Sequence, residues 1–186
     1  MKKQALQSLK ERMEKDIYLP LQNANLVFGD GDSEANILFI GEAPGQKEDE
    51  LGLPFVGRSG QLLHKMLATI GLTREKVYIT NIVKRRPPNN RDPLPEEISA
   101  YTPYLTEQIE ILKPKVIVTL GRFSMNYFLP DAKITRDQGQ LFYSREGYAI
   151  VPLLHPAAAL RSTHMMSLFA ESFKNLSHII GKVSGK

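Results

Sequence analysis

The sequence predicts an α/β fold, a three-layer α/β/α sandwich around a central, mostly parallel four-stranded sheet. Two observations carry this. Short apolar runs of strand length alternate along the chain with segments of helical periodicity, which is the pattern of βαβ units. The runs at 36–40 and 116–120 are almost wholly apolar, as strands covered on both faces are, and each is closed by a glycine, Gly41 and Gly121.

Leu6, Leu9, Met13 and Ile17 recur at three- and four-residue spacings, so the chain starts with a helix that has one apolar face. A turn-rich stretch at 28–33 precedes the first strand, and a loop rich in glycine, proline and acid, 41–57, follows it. Leu62, Leu63, Met66, Leu67 and Ile70 share a helical face that Gly71 closes, and 77–80 reads as the second strand. A basic, proline-rich loop, 84–93, leads to Pro95, which suits the first turn of a helix with Ile98, Tyr101, Leu105, Ile109 and Leu112 on one face. Beyond the third strand, the runs 140–143 and 148–151 flank a turn at Gly147, the second reaching Leu154. The last helix carries Leu168, Phe169, Phe173, Leu176 and Ile180. Ligands of such sheets sit where the carboxyl ends of the strands open into loops, so the loops 41–57, 81–93 and 155–161 are expected to converge on one site.

At 186 residues the chain has the length of one domain with its own core, and no repeat, low-complexity segment or linker divides it. It is 42% hydrophobic and 24% charged, and no apolar run approaches the roughly 18 residues of a membrane span. Its basic N-terminal segment is interrupted by charges and lacks the apolar stretch of a secretion signal, so a cytoplasmic location is expected. There is no cysteine, which excludes disulfides, thiolate nucleophiles, cysteine-ligated zinc and all-cysteine iron–sulfur clusters. His64, His164 and His178 lack metal-ligand spacing, so no metal is expected. The net charge of +4 permits a phosphate-bearing partner without requiring one.

Five motifs stand in register: Gly41-Glu-Ala-Pro-Gly45 with Glu48-Asp49 and the 52–57 run GLPFVG; Thr80-Asn81; the loop from Lys84 through RPPNNRDP to Pro93; the 113–121 run KPKVIVTLG; and the 155–161 run HPAAALR. In order and spacing they closely resemble family 4 of the uracil-DNA glycosylases, over nearly the whole chain. Members of that family usually hold an iron–sulfur cluster on four cysteines. The positions matched here are Asp16, Leu19, Arg85 and Tyr101, placed by Pro20-Leu21, by Lys84 and Pro87-Pro88, and by Pro103-Tyr-Leu105. The resemblance thus implies a cluster-free variant without cofactor, in which Leu19 and Tyr101 fill the vacated space and Asp16 pairs with Arg85.

The implied activity is excision of uracil flipped out of DNA, with uracil-containing DNA as partner of a monomer. Gly41, Ala43, Phe55 and Asn81 then form the base pocket. Phe55 reads as a stacking face rather than a plain core aromatic because it stands in a strand-end loop. The amide of Asn81 can donate to uracil O4 and accept from N3–H, a pattern cytosine reverses. His155 follows the last strand run and can donate to uracil O2 as charge develops there. Glu42 ranks first as the carboxylate that orients water, and Glu48 is its rival, also placed to crowd uracil C5; the sequence leaves the choice open. Asp49 and Glu50 read as a solvated acidic run. The DNA grip is expected from the backbone amides of the segment 57–60, with Gly57, Ser59 and Gly60, and from Lys84, Arg85, Arg86 and Arg91. Leu160 and Arg161 belong to the loop that enters the minor groove, with Leu160 as an apolar wedge. Two other readings fit the same residues: a catalytically silent uracil- or DNA-binding module, and a glycosylase of altered deaminated-base range. Release of free base separates all three.

Overall fold

The structure is a computed structural model and describes residues 1–185. Its elements run α1 (Lys2–Lys15), β1 (Asp30–Gly31), β2 (Ile37–Gly41), α2 (Gln46–Leu51), α3 (Arg58–Thr69), β3 (Tyr78–Asn81), α4 (Pro95–Leu112), β4 (Val116–Leu120), α5 (Arg122–Phe128), α6 (Ile134–Asp137), β5 (Phe142–Tyr143), β6 (Ala149–Leu153), α7 (Pro156–Ala159) and α8 (Thr163–Ser184). The sheet order is β1-β3-β2-β4-β6-β5. Its centre is the four-stranded parallel unit expected from the sequence, β3, β2, β4 and β6. The full sheet has six strands, because β1 and β5 add two-residue antiparallel edges.

Strand alternation divides the core in two. On one face Ile37, Phe39, Val116, Val118, Leu120, Val151 and Leu153 pack against α3, α7 and α8, with Phe169 and Phe173 in an edge-to-face pair at 5.1 Å. On the other, Leu38, Ile40, Ile117 and Ile150 meet Leu6, Leu9 and Met13 of α1 and Tyr101, Leu105 and Ile109 of α4. This two-sided burial is why β2, β4 and β6 read as apolar runs in the sequence.

Helix α1 stops at Lys15, and Asp16 has extended backbone, so Ile17 does not continue the apolar face; it is 75% exposed. Glu97 starts α4 by accepting from the amide of Leu94 at 2.8 Å. Gly71 and Gly147 both lie at positive φ, 73° and 87°, where the α3 terminus and the β5–β6 turn reverse the chain. Among the described residues no helix is long and apolar enough to cross a membrane.

The chain leaves β2 first to one side, toward β3, and later to the other, toward β4. This reversal opens a crevice at the carboxyl ends of β2 and β4, the usual ligand position in such sheets.

Candidate active site

Sheet register assembles the site. Gly41 and Asn81 are direct partners at the ends of β2 and β3, and the amide of Gly121, just past β4, donates to Leu153 of β6 at 2.9 Å. Four consecutive strand ends thereby bring Glu42, Asn81, Gly121 and His155 to the rim of one cleft of about 800 Å³, with Gly41 beneath Asn81 and Phe55. All three loops singled out in the sequence line it: Glu42, Ala43, Glu48, Phe55 and Gly57 from the first, with Ser59 of α3 just beyond it, Asn81 and Arg91 from the second, His155 and Arg161 from the third.

The narrow part of the cleft is a slot between Asn81 and Phe55 above Gly41. A Cβ on Gly41 would sit 2.4 Å from Asn81 Oδ1 and 2.6 Å from Phe55 Cζ, so only glycine leaves both side chains where they are. Asn81 is buried, and its Oδ1 has no hydrogen-bond partner among the described residues. A buried acceptor left so costs about 1–3 kcal/mol unless a ligand supplies the donor. Phe55 is both things the sequence weighed: it packs into the main core at 5% exposure and lines the cleft. Its backbone is left-handed at φ 52°, a strained conformation for an aromatic residue, and its ring lies 5.8 Å from that of His155. Gly60 allows this: a Cβ there would meet the Phe55 carbonyl oxygen at 1.9 Å.

Glu42 lies over Gly121, whose own φ of 94° and lack of a side chain admit the carboxylate; an added Cβ would be 2.2 Å from Glu42 Oε1. Burial and the neighbouring Asp92 push the Glu42 carboxyl up to about 7, against the opposing pull of Arg122 and of the Phe123 amide. The imidazole of His155 accepts at Nδ1 from the amide of Ala157 at 3.1 Å, which leaves the ring proton on Nε2. Burial, aided by Arg161 and opposed by Glu48, lowers its pKa to about 4, so the ring stays neutral and keeps one N–H to donate. Glu48 is engaged within the protein: Oε1 accepts from the amides of Val56 and Gly57 at 3.0 and 2.8 Å, tying α2 to the Phe55 loop.

Several residues expected at a DNA surface are placed otherwise. Lys84 is wholly buried behind β3, where its Nζ donates to Thr80 Oγ1 and, at 2.6 Å, to Gln108 Oε1. Burial drives its pKa well down, and it does not reach a phosphate. Arg85 is buried as well, with Nη1 donating to the carbonyl of Ala24 at 2.9 Å. The amide of Gly57 is taken by Glu48, and Gly60 is buried under Phe55. As the first turn of α3, Arg58, Ser59 and Gly60 carry amides that have no partner carbonyl inside the helix. Arg91 lines the cleft but forks onto Glu97 at 2.6 and 2.9 Å, and Arg86 donates to Asn90 at 2.7 Å. Leu160 is partly buried against the main core rather than projecting as a wedge, whereas Arg161 is exposed on the rim. Arg58, Asp92 and Arg122, whose side chains no motif singles out although Arg58 lies within the 57–60 segment and Asp92 within the 84–93 loop, also line the cleft.

The residues matched to cluster cysteines do not fit an iron–sulfur cluster. Leu19 and Tyr101 are buried in the second core, and the Tyr101 hydroxyl donates to the carbonyl of Pro20 at 2.8 Å. The expected Asp16–Arg85 pair does not form; Asp16 instead accepts from the Tyr104 hydroxyl at 2.6 Å, because Arg85 turns toward the 22–24 carbonyls. Such a set offers a cation, a phenol, an alkyl group and one engaged carboxylate where iron needs thiolates.

An amide and an aromatic ring around a glycine floor, with a carboxylate and a neutral imidazole beside them, form a site for a flat polar ring with donor and acceptor edges. This is the cleft of a nucleobase-handling α/β protein. A family model described as "Uracil DNA glycosylase superfamily" matches residues 28–177, and the chain belongs to that superfamily, on its type-4 branch. Proteins named "Type-4 uracil-DNA glycosylase" resemble it over most of their length. That of Sulfurisphaera tokodaii is 45% identical over 83% of this chain and 74% of its own. That of Archaeoglobus fulgidus is 45% identical over 85% and 83%, and that of Thermotoga maritima 39% identical over 97% of both chains.

Proposed function

We propose that the chain is a uracil-DNA glycosylase that takes uracil out of the DNA stack and hydrolyses its bond to deoxyribose, as a monomer acting on DNA inside the cell. The observation that carries this reading is the buried, unpartnered Oδ1 of Asn81 beside Phe55 and above Gly41. A uracil seated there donates N3–H to Oδ1 and accepts at O4 from the Asn81 amide N–H, while Phe55 stacks on its face. Cytosine offers an acceptor at N3 and a donor at N4, which leaves both groups facing like partners.

Cleavage of the N1–C1′ bond leaves cationic character on the sugar and negative charge on uracil, largely at O2. His155, neutral with its proton on Nε2, donates to O2 and stabilises the leaving anion. Glu42, when ionised, favours the sugar cation and orients a water whose oxygen bonds to C1′; the water's proton passes to the carboxylate. Glu48 holds the loop that carries Phe55 rather than the water. The first-turn amides of Arg58 and Ser59, with Arg161 on the rim, take the phosphates.

The protein works without an iron–sulfur cluster, and a colourless, iron-free preparation is expected; stoichiometric iron would contradict this. The function itself is tested by the base released from oligonucleotides carrying a single uracil, cytosine, thymine or hypoxanthine. Free uracil alone is expected, and release of hypoxanthine at a comparable rate would favour the broader base range.

A further inference from the structure

Arg74 stands outside the cleft lining, in a short turn before β3, yet its guanidinium is largely buried at 14% side-chain exposure. Its Nη2 donates to the carbonyl of Pro54 at 2.6 Å and its Nη1 to the carbonyl of Phe55 at 3.1 Å. Nη1 also meets His64 Nε2 at 3.1 Å, and Nε donates to Asp30 Oδ2 at 2.9 Å. The two carbonyls belong to the two peptide planes that bracket the Phe55 Cα. Their orientations are φ and ψ of Phe55, and φ is the left-handed 52°. The second plane is gripped from its other side as well, since Glu48 accepts from the amide of Val56.

A left-handed aromatic residue persists only where its surroundings hold it there, and release toward negative φ would swing the ring away from Gly41 and Asn81. We propose that Arg74, anchored by Asp30 of β1, is a positioning residue that sets the stacking face of Phe55. The inference rests on the reading of Phe55 as the base-stacking residue. Only a planar fork reaches both carbonyls and the carboxylate together; a lysine ammonium keeps the charge but not the fork.

The test is a double-mutant cycle on single-turnover uracil excision at saturating DNA, with wild type, Arg74→Lys, Phe55→Ala and the double variant. Arg74→Lys is expected to slow excision roughly tenfold with unchanged DNA affinity, since small misplacements of a reacting group carry costs of this order. In the Phe55→Ala background the same change is expected to cost nothing further, because there is no ring left to place. Asp30→Asn, on the half-exposed edge strand, probes the same arm without cutting into the core. It is expected to slow excision by a smaller factor that again vanishes with Phe55→Ala.

Equal losses in both backgrounds, or full activity of Arg74→Lys, would overturn the inference. So would a Phe55→Ala variant as fast as wild type. A wild-type protein that releases no uracil would instead overturn the reading on which the inference rests.

Discussion

Glutamine at Glu42 is expected to slow uracil excision by about 10²–10⁴-fold and to remove the acidic limb of the pH–rate profile. The wild-type limb follows from the environment of the carboxylate: burial, then the charge of Asp92, hold it protonated up to about pH 7. Activity requires the ionised form, so the rate rises with pH toward 7 and levels above it. One pH unit below the midpoint roughly a tenth of the molecules are ionised, and the rate falls accordingly. His155 does not contribute to this limb, because it stays neutral down to about pH 4. Replacing Asp92 by asparagine removes a like charge and moves the limb to lower pH; replacing Arg122 by glutamine removes an attractive charge and moves it to higher pH. A wild-type profile flat from pH 5 to 8, or one unmoved in both neighbours' variants, would exclude Glu42 as the ionising group.

Alanine at Gly41 is expected to cost roughly 10²-fold or more in excision while leaving a folded protein. The added Cβ would stand 2.4 Å from Asn81 Oδ1 and 2.6 Å from the tip of the Phe55 ring. Both are side-chain ends, so the fold can yield there, and overpacking of this kind typically costs about 1–3 kcal/mol. The space into which they yield is the space of the base. Gly41 lies outside the positive-φ region, so alanine brings no backbone strain and the effect isolates the slot. Binding of abasic-site DNA, in which no base enters the slot, is expected to survive. A Gly41→Ala variant with wild-type excision would show that the base is held elsewhere.

Much of this architecture was legible because burial on two faces writes itself as an apolar run. The strands β2, β4 and β6 were found on that ground, and α3, α4 and α8 on helical periodicity. Elements without an apolar signature were not. Helix α2 buries no residue and reads as an acidic loop, and β1, at two residues, is too short to show a period, whereas β5 falls inside the 140–143 run. Ile17 continued the apolar spacing past the point where Asp16 leaves helical geometry, which spacing alone does not reveal.

At the site, the resemblance points to Glu42, Phe55, Asn81 and His155, which line one cleft, and the register of the parallel strands explains why such distant segments meet. Lys84 reads as a solvent-facing cation because charge in a basic loop implies solvent, whereas Thr80 and Gln108 receive the amine inside the second core. Arg74 leaves no trace, since the two partners that tie it to Phe55 are backbone carbonyls, which every residue possesses.

The central claim is that this cleft breaks the glycosidic bond rather than only holding the base. It is tested most directly by single-turnover release of free uracil from a uracil-containing oligonucleotide, comparing wild type with His155→Ala at equal DNA occupancy. Removing one donor to a developing oxyanion costs about 10²–10³-fold, so rapid release by wild type and a loss of that size in the variant are expected. Tight DNA binding by wild type without any free uracil would contradict the account and identify the protein as a silent binding module.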